Sequence, residues 1–142
     1  MQGVSKLSFH HVGYAVRTLI DSRGYFEAMG FEFFHESTDE NRNLDFLFGR
    51  LGSHLIELIS PHDIDAPSAV TNMIKKQPCT QYHVCFETNN WDEVMKHIKD
   101  KGFKQIGKVI ISDVYGYKAK GVFLFSKGTG LIELIEKCDE NE

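Results

Sequence analysis

The chain has 142 residues, within the roughly 100–200 residues usual for one domain, with 42% hydrophobic residues and a formal net charge of −4. This composition is typical of globular proteins and excludes a disordered chain, a collagen-like repeat and a disulfide scaffold. With 16 basic against 20 acidic residues, a nucleic-acid-binding face is not expected. There is no apolar run of membrane-spanning length, no signal-peptide pattern and no paired cysteine spacing. We therefore expect a cytoplasmic protein with reduced cysteines.

The first half of the chain predicts one strand, one helix and three further strands. A run of β-formers indicates a strand over 9–16. Thr18 is placed to cap a helix over 19–29, and Gly30 supplies the left-handed residue that ends it. The next three strands are predicted at 31–36, 44–48 and 55–59.

The second half predicts the same order after a linking helix. That helix is expected to start at Asp65, with Pro67 in its first turn, and to run through Lys76. A strand over 82–88 follows, and Asn90 is placed to cap a helix that ends before Gly102. The last three strands are predicted at 103–111, 117–125 and 131–135.

Short sequence matches support an internal duplication of about 72 residues. His11-Val12 recurs as His83-Val84, and the pentapeptide Leu-Ile-Glu-Leu-Ile occurs at 55–59 and again at 131–135. The second match has an offset of 76 rather than 72, so the second half has about four extra residues in an intervening loop.

Each repeated pentapeptide has a glutamate, Glu57 or Glu133, between apolar neighbours on both strand faces. A buried carboxylate needs a partner, and no Lys or Arg lies within two positions on either strand. The first candidate partner is a basic side chain from a distant part of the chain. The second candidate partner is a metal ion, which the glutamates would share with His11 and His83. These two histidines occupy equivalent places in the duplicated unit.

Two imidazoles and two carboxylates suit a divalent transition metal with open positions for water or substrate. The four would converge if the halves pair about a pseudo-twofold axis. The alternative is that His11 and His83 are structural residues and bind no metal. His10 is expected on the opposite strand face from His11, as a structural or surface residue. Cys85, which shares the face of His83, is interpreted as a packed thiol.

The segment His-His-Val-Gly-Tyr-Ala-Val at 10–16, the duplicated unit and the repeated pentapeptide resemble the vicinal oxygen chelate superfamily. This superfamily includes glyoxalase I, methylmalonyl-CoA epimerase, extradiol dioxygenases and bleomycin or fosfomycin resistance proteins. The resemblance implies an α+β fold: one domain over 1–142 in which two tandem βαβββ modules form an eight-stranded, cup-shaped mixed sheet. The modules would span about 7–60 and 81–136, joined by a linking helix at about 65–77.

The resemblance also implies one divalent metal ion, of Zn, Ni, Co, Mn or Fe, and a homodimer. The modules could pair within one chain or between two chains. The four ligand positions of the superfamily correspond to His11, Glu57, His83 and Glu133.

Residues 57–61 and 66–70 are most similar to methylmalonyl-CoA epimerase. Such an enzyme removes a proton α to a carbonyl through a metal-stabilised enolate. The resemblance implies that Glu133 is ligand and base, and that Asp45 is a second acid/base group. The chain departs from the epimerase at 125–130, which lacks a His-Pro pair that bears on coenzyme A recognition.

Two alternatives stay open at this point. Many epimerases have glutamine at the position of Glu57, whereas glyoxalase I has glutamate, so a lactoylglutathione lyase is the second candidate. The substrate would be an acyl-CoA or a glutathione adduct. The third candidate is a metal-free protein that binds an antibiotic in a cavity lined by aromatic residues, namely Phe46, Phe48, Tyr115 and Tyr117.

Overall fold

The structure, a computed structural model, describes residues 7–139. Within them lie eight strands and three helices, in the order β1 Leu7–Val16, α1 Leu19–Ala28, β2 Glu32–Asp39, β3 Leu44–Leu51, β4 His54–Pro61, α2 Thr71–Lys76, β5 Cys79–Thr88, α3 Trp91–Asp100, β6 Lys104–Ser112, β7 Ala119–Ser126 and β8 Gly130–Lys137. The predicted α+β class and the twice-repeated βαβββ order are confirmed. None of these helices is long and apolar enough to cross a membrane.

The chain divides into two compact units. The first unit is His11–Tyr82, and the second unit contains residues 7–10 and 83–139. The strands of the first unit follow the order β2-β3-β4-β1, and β1 is parallel to β4 while the other pairs are antiparallel. The second unit repeats this as β6-β7-β8-β5, with β5 parallel to β8. Each half therefore has the same mixed topology.

A helix covers one sheet face in each unit. In the second unit α3 buries Val94, Met95 and Ile98 against apolar side chains of β7 and β8, namely Val122, Leu124 and Leu134. In the first unit α1 packs through Leu19 and Phe26 onto Val16, Leu47, Ile56 and Leu58. Because strand side chains alternate between faces, the residues next to these apolar ones point to the opposite face. The candidate ligands His11, Glu57, His83 and Glu133 lie on that face of their units.

The ends of α1 are as predicted. The Oγ1 atom of Thr18 accepts a hydrogen bond from Asp21 N at 3.3 Å, and Gly30 has a φ of 105° just after the helix. Asn90 precedes α3 but makes no side-chain cap, which differs from the prediction. Its side-chain amide donates to the carboxylate of Glu93 instead, because a charged acceptor is available within the same turn.

The linking helix α2 is shorter than predicted and begins at Thr71 rather than at Asp65. The cause lies in Asn43, whose Nδ2 atom shares its two N–H hydrogens among three carbonyls of the segment before Thr71, those of Asp63, Ala66 and Pro67, at 3.0, 3.1 and 3.3 Å. Two of these carbonyls are acceptors that a helix starting at Asp65 needs. The segment before Thr71 is therefore held as turns by a side chain twenty residues earlier in the chain.

Candidate metal centre

The first unit brings His11 and Glu57 into contact on the face away from α1. The register of β1 and β4 places Gly13 beside Glu57, and His11 shares the face of Gly13 two residues earlier. The Nε2 atom of His11 lies 3.3 Å from Oε1 of Glu57. Both residues are buried, with exposed fractions of 0% and 2%. Both residues are candidate metal ligands in the sequence analysis, and the structure brings them together.

The second unit repeats this contact with His83 and Glu133. Cys85 lies beside Glu133 in the register of β5 and β8, and His83 is two residues before it. His83 Nε2 lies 3.3 Å from Glu133 Oε1, the same distance as in the first unit. The exposed fractions are 4% for the histidine and 7% for the glutamate. The duplicated sequence therefore repeats the same His–Glu contact in both units.

An aromatic ring packs against each histidine. Phe48 is the register partner of Glu57, and its ring centroid lies 5.1 Å from that of His11 at an interplanar angle of 87°. Phe123 is the partner of Glu133 and contacts His83 at 5.2 Å and 81°. These edge-to-face contacts hold each imidazole in one orientation, with its Nε2 atom toward the carboxylate.

The spacing within each pair fits two ligands of one metal ion. Ligand atoms at about 2.1 Å from an ion, at tetrahedral or octahedral angles, are about 3.0–3.4 Å apart. Both pairs show 3.3 Å between nitrogen and oxygen. Imidazole nitrogen and carboxylate oxygen are also the donors that a divalent transition metal uses. Each His–Glu pair therefore has the donor atoms and the spacing of two ligands of one metal ion.

Glu133 has a second partner in Tyr115, whose hydroxyl group donates to Oε2 at 2.8 Å. The sequence singled out Tyr115 only as an aromatic residue that could line a cavity. It lies between β6 and β7, where the second half is longer than the first. No strand periodicity extends into this segment, so the contact could not be found from the sequence pattern.

Asp45 is not brought to His11 and Glu57. It is the register partner of Ser60 and shares the strand face of Leu47, which packs toward α1. Phe48, the residue against His11, points to the other face. The Oδ1 atom of Asp45 accepts from the Thr38 hydroxyl at 2.7 Å and lies 3.0 Å from His62 Nδ1.

The remaining candidates have structural contacts. His10 Nε2 lies 2.8 Å from the hydroxyl of Tyr117, which fits its predicted structural role. Burial, followed by the nearby charge of Glu87, raises the pKa of Tyr117 above its ordinary value. Cys85 is fully buried, whereas Cys79 is exposed and partial burial of its thiol raises the pKa.

Comparisons with known proteins find a matching family model and a curated relative. Residues 10–125 match the family model described as the glyoxalase/bleomycin resistance protein/dioxygenase superfamily. A curated protein of Bacillus subtilis (strain 168), the uncharacterized protein YqjC, is 28% identical over 130 residues, which are 91% of this chain and 89% of that protein.

Similar solved structures include methylmalonyl-CoA epimerases. The enzyme of Mycobacterium tuberculosis has a TM-score of 0.78 at 18% identity, over 94% of this chain and 90% of that one. A variant of the Streptomyces coelicolor epimerase, solved with 2-nitronate-propionyl-CoA, has a TM-score of 0.77 at 22% identity, over 93% of this chain and 98% of that one. At these identities the likeness shows the fold.

Proposed function

Because the chain belongs to the glyoxalase/bleomycin resistance protein/dioxygenase superfamily, we propose that it is a metal-dependent enzyme that removes a proton α to a carbonyl, of the methylmalonyl-CoA epimerase type. One observation carries this proposal: a buried His–Glu pair occurs twice, with the same 3.3 Å spacing and the same aromatic support. A protein that only binds an apolar ligand gains nothing from two buried carboxylates, because burying each one costs free energy.

The proposed metal ligands are His11, Glu57, His83 and Glu133, as the sequence predicted. The two pairs would complete one site within a chain or across two copies, and the homodimer stays a prediction. A bound divalent ion supplies Lewis-acid stabilisation of the oxyanion charge that develops at the carbonyl, which lowers the barrier by several kcal/mol.

Glu133 is the proposed base. Its carboxylate is buried at 7% exposure, and its two oxygens have different partners, His83 at Oε1 and Tyr115 at Oε2. A general base held in position contributes about 10²–10⁴-fold to the rate. Burial also limits the access of bulk water to the carboxylate, which strengthens its electrostatic interactions with the substrate.

We propose an acyl-CoA thioester with an acidic α-hydrogen as the substrate. The support comes from the similar solved structures, since methylmalonyl-CoA epimerases have the same fold over more than 90% of this chain. The turn at 126–130 joins β7 and β8 tightly, with the Ser126 and Thr129 hydroxyls 2.7 Å apart. This turn lacks the His-Pro pair of the epimerases, so we expect the coenzyme to be held by other residues.

A glyoxalase I-like lyase is the second candidate, and the position of Asp45 favours it. Epimerisation needs a proton delivered to the opposite face of the α-carbon, and Asp45 is on the other side of β3 from His11 and Glu57. Moving a proton between adjacent carbons needs one base only, and Glu133 would suffice for it. The substrate would then be a glutathione hemithioacetal.

Proton exchange in heavy water tests the proposal and separates the candidates. Metal-loaded protein is incubated in D₂O with methylmalonyl-CoA and, separately, with the glutathione–methylglyoxal hemithioacetal. We expect deuterium at the α-carbon of the thioester, abolished in Glu133→Gln and kept in the control Glu32→Gln, which alters an exposed carboxylate on β2. Turnover of the hemithioacetal alone supports the lyase. Metal binding without exchange in either substrate contradicts the proposed function.

A further inference from the structure

The segment between β6 and β7 places a tyrosine inside the protein. Residues 113–118 connect these strands, and within this segment Val114 and Tyr115 are only 6% and 8% exposed. Connecting segments are normally solvated, because their backbone groups need water. Here the chain turns back at Gly116, which has a φ of 89° and donates from its N–H to the carbonyl of Asp113 at 3.0 Å. The turn leaves Tyr115 directed inward.

The hydroxyl group of Tyr115 ends on the carboxylate of Glu133. It donates to Oε2 at 2.8 Å, while Oε1 of the same carboxylate is 3.3 Å from His83 Nε2. A hydrogen bond to a charged acceptor is roughly twice as strong as a neutral one. The two oxygens are therefore not equivalent: one is turned toward the histidine and the other is held by the tyrosine.

The neighbouring strand leaves room for this bond at Gly121. A Cβ atom at this position would lie 3.4 Å from the Tyr115 hydroxyl and 3.5 Å from Glu133 Oε2. It would also meet a side-chain carbon of Ile135 at 3.3 Å, which is tight. A larger side chain would have to fit among Ile135, the tyrosine hydroxyl and the carboxylate. The glycine thus serves the contact between Tyr115 and Glu133.

The ring of Tyr115 is held from two sides. The ring of His10 meets it edge-to-face, with centroids 5.9 Å apart at 82°, and the ring of Tyr117 lies 6.0 Å away. His10 and Tyr117 are joined to each other by a 2.8 Å contact between Nε2 and the hydroxyl. This arrangement fixes the direction of the Tyr115 hydroxyl before any ligand binds.

The corresponding connection in the first unit has no tyrosine, since β2 and β3 are joined by Glu40-Asn41-Arg42-Asn43. Tyr115 therefore has no counterpart in the corresponding connection of the first unit. We infer that Tyr115 is a positioning residue: by holding Oε2 of Glu133 it keeps Oε1 beside His83, where a metal ion would be held, and fixes Glu133 in the orientation of a base. This inference rests on the proposed function.

The test compares Tyr115→Phe with Tyr14→Phe, a matched change on the opposite sheet face, where Tyr14 packs against Phe26. For Tyr115→Phe we expect kcat for α-proton exchange to fall about 10- to 100-fold, as expected for a misplaced catalytic group. KM should stay within about twofold, because uniform binding is unchanged. Tyr14→Phe should keep the wild-type kcat, and circular dichroism confirms that both variants fold.

A second readout does not depend on activity. The visible spectrum of the Co²⁺-loaded protein reports how Glu133 coordinates, so Tyr115→Phe should change it and Tyr14→Phe should not. Gly121→Val, which keeps the hydroxyl but adds a branched side chain beside it, should reproduce both effects if Tyr115→Phe fails to fold. Wild-type kcat in the folded variants overturns the inference. If the wild-type protein binds Co²⁺ but exchanges no proton, the proposed function fails, and an unchanged spectrum then also overturns the positioning role.

Discussion

His11 and Glu57 lie in contact because two strands are parallel and in a fixed register. Gly13 is the partner of Glu57 across β1 and β4, and the histidine two residues earlier shares its face. The contact of 3.3 Å is buried on both sides. Such a pair is costly in a metal-free protein, and a bound cation would reverse the sign of its contribution to stability.

Replacing Glu57 by glutamine should therefore separate stability from metal binding. Without metal, we expect Glu57→Gln to be as stable as the wild type or more stable by about 1–2 kcal/mol, since a buried charge is removed. With metal at about 100 times Kd, the wild type gains about 2.7 kcal/mol, and the variant should gain much less. Urea unfolding with and without metal measures both. A metal-free variant that loses more than about 3 kcal/mol would identify Glu57 as part of a structural ion pair instead.

Phe48 and Phe123 should contribute equally to metal affinity. Each ring holds one imidazole edge-to-face at nearly the same distance, 5.1 and 5.2 Å. Replacing either by leucine frees the histidine ring, and we expect metal affinity to fall by about tenfold or less in both variants, in analogy with other residues that orient ligands. Isothermal titration with Zn²⁺ compares them. A large effect at one position and none at the other would show that the two pairs are not equivalent halves of a site.

Asp45→Asn should leave activity nearly unchanged. The side chain is on the face of Leu47, and its contacts are with Thr38 and His62. Because these contacts are partly exposed, we expect a loss of only about 0.5–1 kcal/mol in stability, with kcat/KM within about twofold of wild type. Steady-state kinetics and thermal unfolding measure the two effects. A drop in kcat with full metal content would return Asp45 to the mechanism as a second base.

The ion pair of Asp39 and Arg42 predicts a pH dependence of stability. Partial burial tends to raise the pKa of Asp39, but hydrogen bonds from the Arg42 Nε atom and backbone N–H outweigh it and leave the pKa below its usual range. A lowered pKa stabilises the folded protein above the unfolded-state pKa of about 3.9, and this stability is lost as pH falls through the folded-state pKa.

Arg42→Gln removes most of this contribution. At pH 7 we expect the variant to be less stable by about 0.5–1 kcal/mol, discounted for the exposure of both side chains. The difference should shrink as pH falls below about 4, because Asp39 is then protonated in the unfolded chain and increasingly in the folded protein. Urea unfolding at several pH values checks it. A difference that stays constant down to about pH 3, below the unfolded-state pKa, would mean that Arg42 acts by packing, through its contact with the ring of Phe46.

The strands, and the strand faces on which the histidines and glutamates lie, could be predicted because local information determines them. The contact within each His–Glu pair depends in addition on the parallel register of β1 with β4 and of β5 with β8. Alternation of faces assigns His11 and Glu57 to specific sides of their strands, and the repeated pentapeptide locates Glu133 in the same way. Asp45 shows the limit of this reasoning. Its parity with Leu47 is evident from the sequence, but which face that is depends on where α1 packs.

Long-range contacts account for what the sequence pattern did not predict. The start of α2 depends on Asn43, whose amide bonds to carbonyls twenty or more residues later. The contact of Tyr115 with Glu133 depends on a turn at Gly116 and on the space at Gly121, neither of which has a periodic signature. Both are interactions of one side chain with a distant part of the chain.

Metal stoichiometry in single-ligand variants tests whether the two His–Glu pairs hold one metal ion. Wild-type protein and four alanine variants, at His11, Glu57, His83 and Glu133, are purified without added metal and measured by elemental analysis. The control is His54→Ala, which alters an exposed histidine at the start of β4. We predict about one equivalent of divalent metal per chain in the wild type and control, and loss of at least about 90% of it in every one of the four folded variants, since each ligand contributes more than the roughly 10-fold typical of residues that only orient ligands. The shared metal site is ruled out if variants of one His–Glu pair retain full metal. It is also ruled out if the wild type is metal-free and fails to bind added Zn²⁺ or Co²⁺.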